Sequence, residues 1–300
     1  MAYTGVGETE LAAFIPEVWL GNALEQLRSQ IVLARTVTKD SDMGVFNIGD
    51  IVHVPFVGTM TRNAKAADTE VTKQVPSNPV DTTLTLNKYY EATFMVEDVA
   101  KAMALPSHMN ALVEAAVVPI VEGVETDLFA LYSDATNNAG SAAAMSGSLL
   151  RTVWAQLNTL KCPVGNRKII MTSAGMNLLK AESGYQSYFA FADPAVVARG
   201  AVASLEGFDV YWSQNVPLST DYKCLAYDPG AIMMAMRGLP NPPQGSGWQG
   251  MNMTDPVSGL TLSMVWGYNG EALGMQVTIR ALYGVKIIRQ SKLVLVKTTS

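Results

Sequence analysis

His53, His108, Cys162 and Cys224 are all the imidazole and thiol chemistry that this 300-residue chain can offer. A hydrolase needs a nucleophile, a base and a group that orients the base, all within reach of one another. His53 lies in an alternating, strand-like stretch and His108 in the first turn of a helical pattern, and neither belongs to a recognisable motif. No GxSxG string is present, so the turn that exposes an α/β-hydrolase serine is missing, and there is no GxxxxGK[ST] phosphate loop. Glu97 and Asp98 are adjacent and would face apart on a strand, which argues against paired acid/base work.

Cys162 and Cys224 lack CxxC spacing, and no secretory context favours a disulfide or structural zinc site; they read as small buried hydrophobes. The triplet Asn252-Met253-Thr254 matches a glycosylation sequon, which carries little weight without a secretory signal. The first twenty residues contain Glu8, Glu10 and Glu17 but no Lys or Arg. The apolar run Ala115–Val121 is interrupted by Pro119 and falls far short of the ~20 residues that span a bilayer. No catalytic residue, cofactor, metal or membrane contact is expected. Charged residues make up 16% of the chain and its net charge is −5, so no basic tract offers itself to phosphates.

The elements that remain must therefore carry the function. At 49% hydrophobic residues the chain can bury a sizeable core, and its length suggests about two domains. Residues 1–40 read as an arm and a helix, with Pro16 in the first turn and Leu20, Leu24, Leu27 and Ile31 at helical spacing, Trp19 beside them. That stripe packs either on its own domain or on a neighbouring subunit. Val52, Val54 and Phe56 then share one face of a strand in which Pro55 suits an edge. Residues 58–80 are polar and poor in large apolar side chains. From Leu84 to Val96 apolar residues alternate, broken only by Lys88, and predict one strand of ~43 Å that pairs with residues 51–57 as a long hairpin. An isolated hairpin is marginal in water, so a second chain is expected to support it.

Residues 107–132 predict a long helix with Leu112, Ala116, Ile120, Val124 and Leu131 on its buried stripe, Glu114, Glu122 and Glu125 off it, and a kink or restart at Pro119. Residues 133–147 read as a loop. A helix over 148–160, a strand over 168–172, a helix over 174–181 and a strand over 208–212 then suggest an α/β domain. The Gly/Pro-rich stretch 237–259 reads as loop, and 260–296 as mostly β.

Four segments together, spanning nearly the whole chain, resemble the major capsid (coat) proteins of tailed bacteriophages, in particular the subgroup that includes the coat protein of the Salmonella podovirus. They are Phe14-Ile15-Pro16-Glu17-Val18-Trp19 with Gly49-Asp50-Ile51-Val52-His53-Val54-Pro55; Phe94-Met95-Val96-Glu97-Asp98 leading into the long helix; the run Gly200 to Pro217, with Gly207-Phe208-Asp209-Val210-Tyr211 at its centre; and Leu282-Tyr283-Gly284-Val285-Lys286-Ile287-Ile288-Arg289. Asp228-Pro229-Gly230-Ala231-Ile232 is similar to the strand that precedes the last of these.

The resemblance implies an α+β chain with the Hong Kong-type capsid fold. Its parts would be an N-terminal arm and helix (1–45), an extended hairpin loop (46–97), a peripheral domain with a spine helix (98–140), an α/β axial domain (141–260) and closing strands shared by both domains (261–300). It implies a structural subunit that assembles as hexamers and pentamers into an icosahedral head around double-stranded DNA, without sequence-specific DNA binding. The expected location is the virion capsid, built in the host bacterial cytoplasm. The expected partners are copies of itself, a separate scaffolding protein, a portal and possibly a decoration protein. The inter-subunit contact candidates are Trp19, Leu20 and Leu24 in the arm and Arg62, Lys65, Asp68, Glu70 and Lys73 in the hairpin tip, for which a solvated loop is the alternative. Lys65 and Lys73 lack a matching partner for the side-chain crosslink that some members form. The competing readings are a microbial nanocompartment shell of the same fold, another phage head or tail component, and an unrecognised enzyme.

Overall fold

Strand pairing and burial are described here from a computed structural model covering residues 31–40, 51–56, 60, 62–73, 80–97, 107–140, 145–181, 204–213, 215, 222–243, 245–255 and 258–297. A one-turn helix α1 (Leu33–Thr36) and strand β1 (Thr38–Asp40) precede a ribbon of β2 (Ile51–Phe56) and β3 (Val80–Thr85), then β4 (Lys88–Glu97). The long helix α2 (Ser107–Ala130) ends in a 3-10 turn, Leu131–Asp134. Next come β5 (Asn138–Ala139), α3 (Gly147–Thr159), β6 (Lys168–Met171), α4 (Ser173–Ala181), β7 (Ser204–Leu205) and β8 (Phe208–Trp212). The remainder is β: β9 (Tyr222–Tyr227), β10 (Ile232–Arg237), β11 (Trp248–Thr254), β12 (Thr261–Asn269), β13 (Gly274–Ile287) and β14 (Leu293–Lys297).

Two six-stranded sheets organise the chain. The first runs β1-β10-β13-β12-β11, with β4 along the other edge of β13. The second is mixed and runs β5-β14-β9-β6-β8-β7. Its central strands are buried on both faces, which is why they read as unbroken apolar runs. Ile169, Met171, Cys224, Ala226, Val294 and Val296 point to a core shared with α3 and α4. The residues between them, Ile170, Leu225, Tyr227, Leu293 and Leu295, point to the larger core that holds α2 and the first sheet. Ser146 caps α3 by accepting from the Leu149 N–H (3.4 Å), and past its C-terminal end the buried Arg167 guanidinium donates to Asn158 Oδ1 (2.6 Å) and to the carbonyls of Cys162 (2.7 Å) and Pro163 (3.0 Å). Cys162 and Cys224 are buried thiols.

Several expectations need correction. The alternation over 84–96 is two strands, not one. Pairing breaks after Thr85; β3 stays with β2, while β4 crosses to β13, so the ribbon ends at residue 85 and β4 belongs to the first sheet. The helix does not restart at Pro119: it is one continuous element, with Pro119 on its exposed side. Of its expected buried stripe, Ala116, Ile120, Val124 and Leu131 are buried and Leu112 is exposed; Val113, Val117 and Leu128 pack inward beside them. Glu125, expected off the stripe, is buried, because its carboxylate accepts the backbone N–H groups of Leu33 (Oε2, 2.9 Å) and Ala34 (Oε1, 2.8 Å).

The stretch 237–259 contains β11, which forms a hairpin with β12. Its glycines imitate a loop for two reasons: Gly245 and Gly247 have positive φ in open space, whereas a Cβ on Gly250 would come within 2.6 Å of the Pro242 ring. Gly245, Gly247 and Gly250 have GxGxxG spacing, but they open a strand, whereas a dinucleotide-binding turn opens a helix. The stripe through Trp19, Leu20, Leu24 and Leu27 lies outside the described residues.

Candidate inter-subunit surfaces

The ribbon is anchored at its base and open beyond it. Val52 and Val54 of β2, with Leu84 and Leu86 beside β3, pack on Met233, Ala235 and Leu282 of the first sheet. Lys286 Nζ donates to the Thr83 carbonyl at 2.6 Å. Gly284 gives the ribbon room to cross: any Cβ there would run into the Thr85 carbonyl. The glycine inside the Leu282–Ile287 stretch of β13 is thus explained by close approach of another backbone.

Lys88, the one interruption in the alternating pattern, sits where β4 leaves the ribbon. Its Nζ lies 2.7 Å from Asp127 Oδ1 on α2, and the Tyr283 hydroxyl donates to Asp127 Oδ2 at 2.6 Å. One carboxylate therefore ties the spine helix to both β4 and β13. Burial, and then the bond to Asp127, push the Tyr283 hydroxyl far above the ordinary tyrosine range, so it remains a donor at any physiological pH.

Beyond this base, residues 62–73 are exposed throughout and adopt neither helix nor strand, with one turn at Asp68, whose φ is +57°. Arg62, Lys65, Asp68, Glu70 and Lys73 all lie on this segment. Lys65 and Glu70 help line an open concavity of ≈ 450 Å³ together with Met60, Asn63, Val71 and Thr72; Arg62, Asp68 and Lys73 do not. Met60 and Val71 are large apolar side chains at 61% and 70% exposure, on a segment that has no core of its own. Trp19, Leu20 and Leu24 lie outside the described residues.

The sequence reading missed a second exposed apolar site, the β12–β13 turn, where Tyr268 and Leu273 are more than half exposed and Leu273 has φ +46°. Its only signal is Leu at a position where the backbone favours Gly or Asn. Among the described residues, no group of three or more His, Cys, Asp or Glu is placed to hold a metal, and no helix is long and apolar enough to cross a membrane.

No protein-family model and no curated protein matches the chain. Solved structures do. A chain of Mycobacterium phage Che8 aligns with a TM-score of 0.64 at 16% identity, over 89% of this chain and 91% of that one. The capsid of cyanophage P-SCSP1u gives 0.63 at 12% identity, over 90% and 88%. A virus-like particle from Pyrococcus furiosus gives 0.51 at 10% identity, over 93% and 98%. At such identities what is shared is backbone architecture: the chain is α+β and has the phage capsid fold.

Proposed function

We propose that this protein is the major capsid protein of a tailed bacteriophage, a structural subunit and not an enzyme, that assembles with copies of itself as hexamers and pentamers into the icosahedral head around double-stranded DNA. The observation that carries this reading is the extent of the match: about nine tenths of this chain and of the phage capsid chain align in one fold. The long exposed loop beyond the ribbon supports it, since Met60 and Val71 gain a reason to be apolar when a second subunit covers them.

On this reading the first sheet and α2 form the peripheral domain, and the second sheet with α3 and α4 forms the axial domain. Arg62, Lys65, Asp68, Glu70 and Lys73 meet a neighbouring subunit, as do Trp19, Leu20 and Leu24 from the arm. The partners are a separate scaffolding protein, a portal and, where the shell needs reinforcement, a decoration protein. Assembly takes place in the host cytoplasm, and the chain sits with the podovirus-like subgroup. A shell enclosing an enzyme is the second reading, favoured by the likeness to the Pyrococcus particle.

Negative-stain electron microscopy of the protein expressed alone, and then with the scaffold candidate from its genomic neighbourhood, tests this. Closed shells, rings of five or six, or curved sheets are expected. A monomer or dimer under both conditions contradicts it, and particles filled with a co-encoded enzyme favour the second reading.

A further inference from the structure

The hairpin that joins β12 to β13 holds the single Asn-Gly pair of the sequence, Asn269-Gly270. An asparagine followed by glycine is the pairing in which a side-chain amide lies most open to attack by its own backbone, because the next residue has no Cβ to block the approach. In a two-residue hairpin turn the pair is accounted for by the positive φ that the turn demands. Here Asn269 closes the ladder opposite Gly274, and the turn runs from Gly270 to Leu273. The left-handed position in it is Leu273, at φ +46°, while the φ of Gly270 lies outside that range. A Cβ on Gly270 would meet nothing within 4 Å, so neither conformation nor crowding calls for glycine there.

The Asn269 side chain is held in place. Its Oδ1 accepts from the Glu271 N–H at 3.0 Å, and its Nδ2 donates to Gln276 Oε1 at 3.2 Å. The first bond makes an Asx-turn, which curls the side chain over the Gly270 peptide and keeps Cγ on the side of the Gly270 nitrogen. The same Glu271 N–H points at the oxygen on which negative charge would gather if that nitrogen attacked, where a fixed donor acts most strongly. Gly270 and Glu271 are exposed, so water and base reach the peptide.

We propose that Asn269-Gly270 is a self-modifying site, at which the Gly270 nitrogen attacks Asn269 Cγ and the side-chain amide becomes a carboxylate without an enzyme. The proposal does not rest on the shell reading. Base removes the Gly270 N–H proton, a bond forms from that nitrogen to Cγ, the Cγ–Nδ2 bond breaks and ammonia leaves, giving a cyclic imide. Water then opens the ring. Cleavage at Cγ leaves an ordinary aspartate, and cleavage at the main-chain carbonyl leaves isoaspartate, with one more methylene in the backbone. Water is the only co-reactant, and nothing is oxidised or reduced. Either product adds a negative charge beside Glu271, removes the donor to Gln276, and places that change between Tyr268 and Leu273, the exposed apolar residues of the turn. Isoaspartate also lengthens the backbone opposite Gly274 and frays the last pair of the hairpin.

Incubating the folded full-length protein in mildly alkaline buffer made with heavy-oxygen water, then digesting it under mildly acidic conditions, tests this. Mass spectrometry is read with fragmentation that separates aspartate from isoaspartate. The peptide containing Asn269 is expected to exchange –NH2 for a labelled –OH, as a mixture of both isomers, and to do so faster as pH rises. Gly270→Ala should keep the wild-type urea midpoint, since its methyl meets nothing. It should slow the conversion by roughly tenfold, a barrier change of about 1.4 kcal/mol. Conversion to aspartate alone, or at an unchanged rate in Gly270→Ala, means direct hydrolysis and overturns the proposal. So does a folded protein that keeps the Asn269 amide over a time in which the urea-unfolded chain loses it, because the hairpin then shields the site.

Discussion

The second sheet and the β2–β3 ribbon are built from similar residue types and held in opposite ways. In β6, β9 and β14 successive side chains enter two different cores, so every residue of the pattern is used within the chain. In the ribbon only one face of the base is covered, by the cluster around Leu84, Leu86 and Leu282, and the segment beyond it is exposed. The first arrangement needs nothing outside the subunit. The second leaves apolar side chains and backbone groups for another surface to satisfy, and a sheet with unpaired edges invites association. The sheet closes on the chain itself, whereas the ribbon and its loop leave apolar side chains exposed.

Breaking the sheet should have the largest effect. Leu225→Ala removes a fully buried side chain from a site packed on all sides, and the loss should be ~2–5 kcal/mol, read as a lowered urea midpoint with an unchanged slope. Gly284→Val attacks the joint instead. The new side chain runs into the Thr85 carbonyl, and a strain of ~1–3 kcal/mol should displace the ribbon; limited proteolysis should then cut at residues 80–87 while the second sheet stays protected.

Lys88→Met tests whether the ion pair at the ribbon's exit matters beyond packing. Both partners are partly exposed and Asp127 keeps its bond to Tyr283, so a loss of only about 1 kcal/mol is expected in chemical denaturation. The smallest effect on stability should come from neutralising the loop through Arg62→Ala, Lys65→Ala, Asp68→Asn, Glu70→Ala and Lys73→Ala together. The unfolding midpoint should stay within about 0.5 kcal/mol of wild type, as for exposed sites generally, while assembly seen by sedimentation is lost. Loss of stability together with assembly would erase the distinction between the two regions.

The sequence made these two regions legible to different degrees, for physical reasons. Strands such as Lys168–Met171 and Phe208–Trp212, and the helices around them, follow from periodicity because burial there is local and repetitive. The long helix was legible as an element and in most of its buried stripe, Ala116, Ile120, Val124 and Leu131, whereas the burial of Glu125 depends on bonds to α1, far away in sequence. Lys88 was visible as an anomaly, and its explanation needed Asp127, nearly forty residues on. The break at Leu86–Asn87 was hidden because the alternation continues in phase through it while the pairing partner changes. Strand β11 was hidden by Gly245 and Gly247, which turn the chain with positive φ, and by Gly250, which admits the Pro242 ring. Of the candidate contacts, the five charged loop residues were legible as a polar excursion, and their proposed role calls for a second molecule.

That second molecule is what the central claim requires. Cryo-electron microscopy of assembled particles, with residues 60–73 traced, tests it most directly. The account predicts closed icosahedral shells in which Met60, Val71 and the charged residues around them lie against a neighbouring copy of the chain. Particles in which this segment projects into solvent, or a protein that forms no shell in any condition, would contradict it.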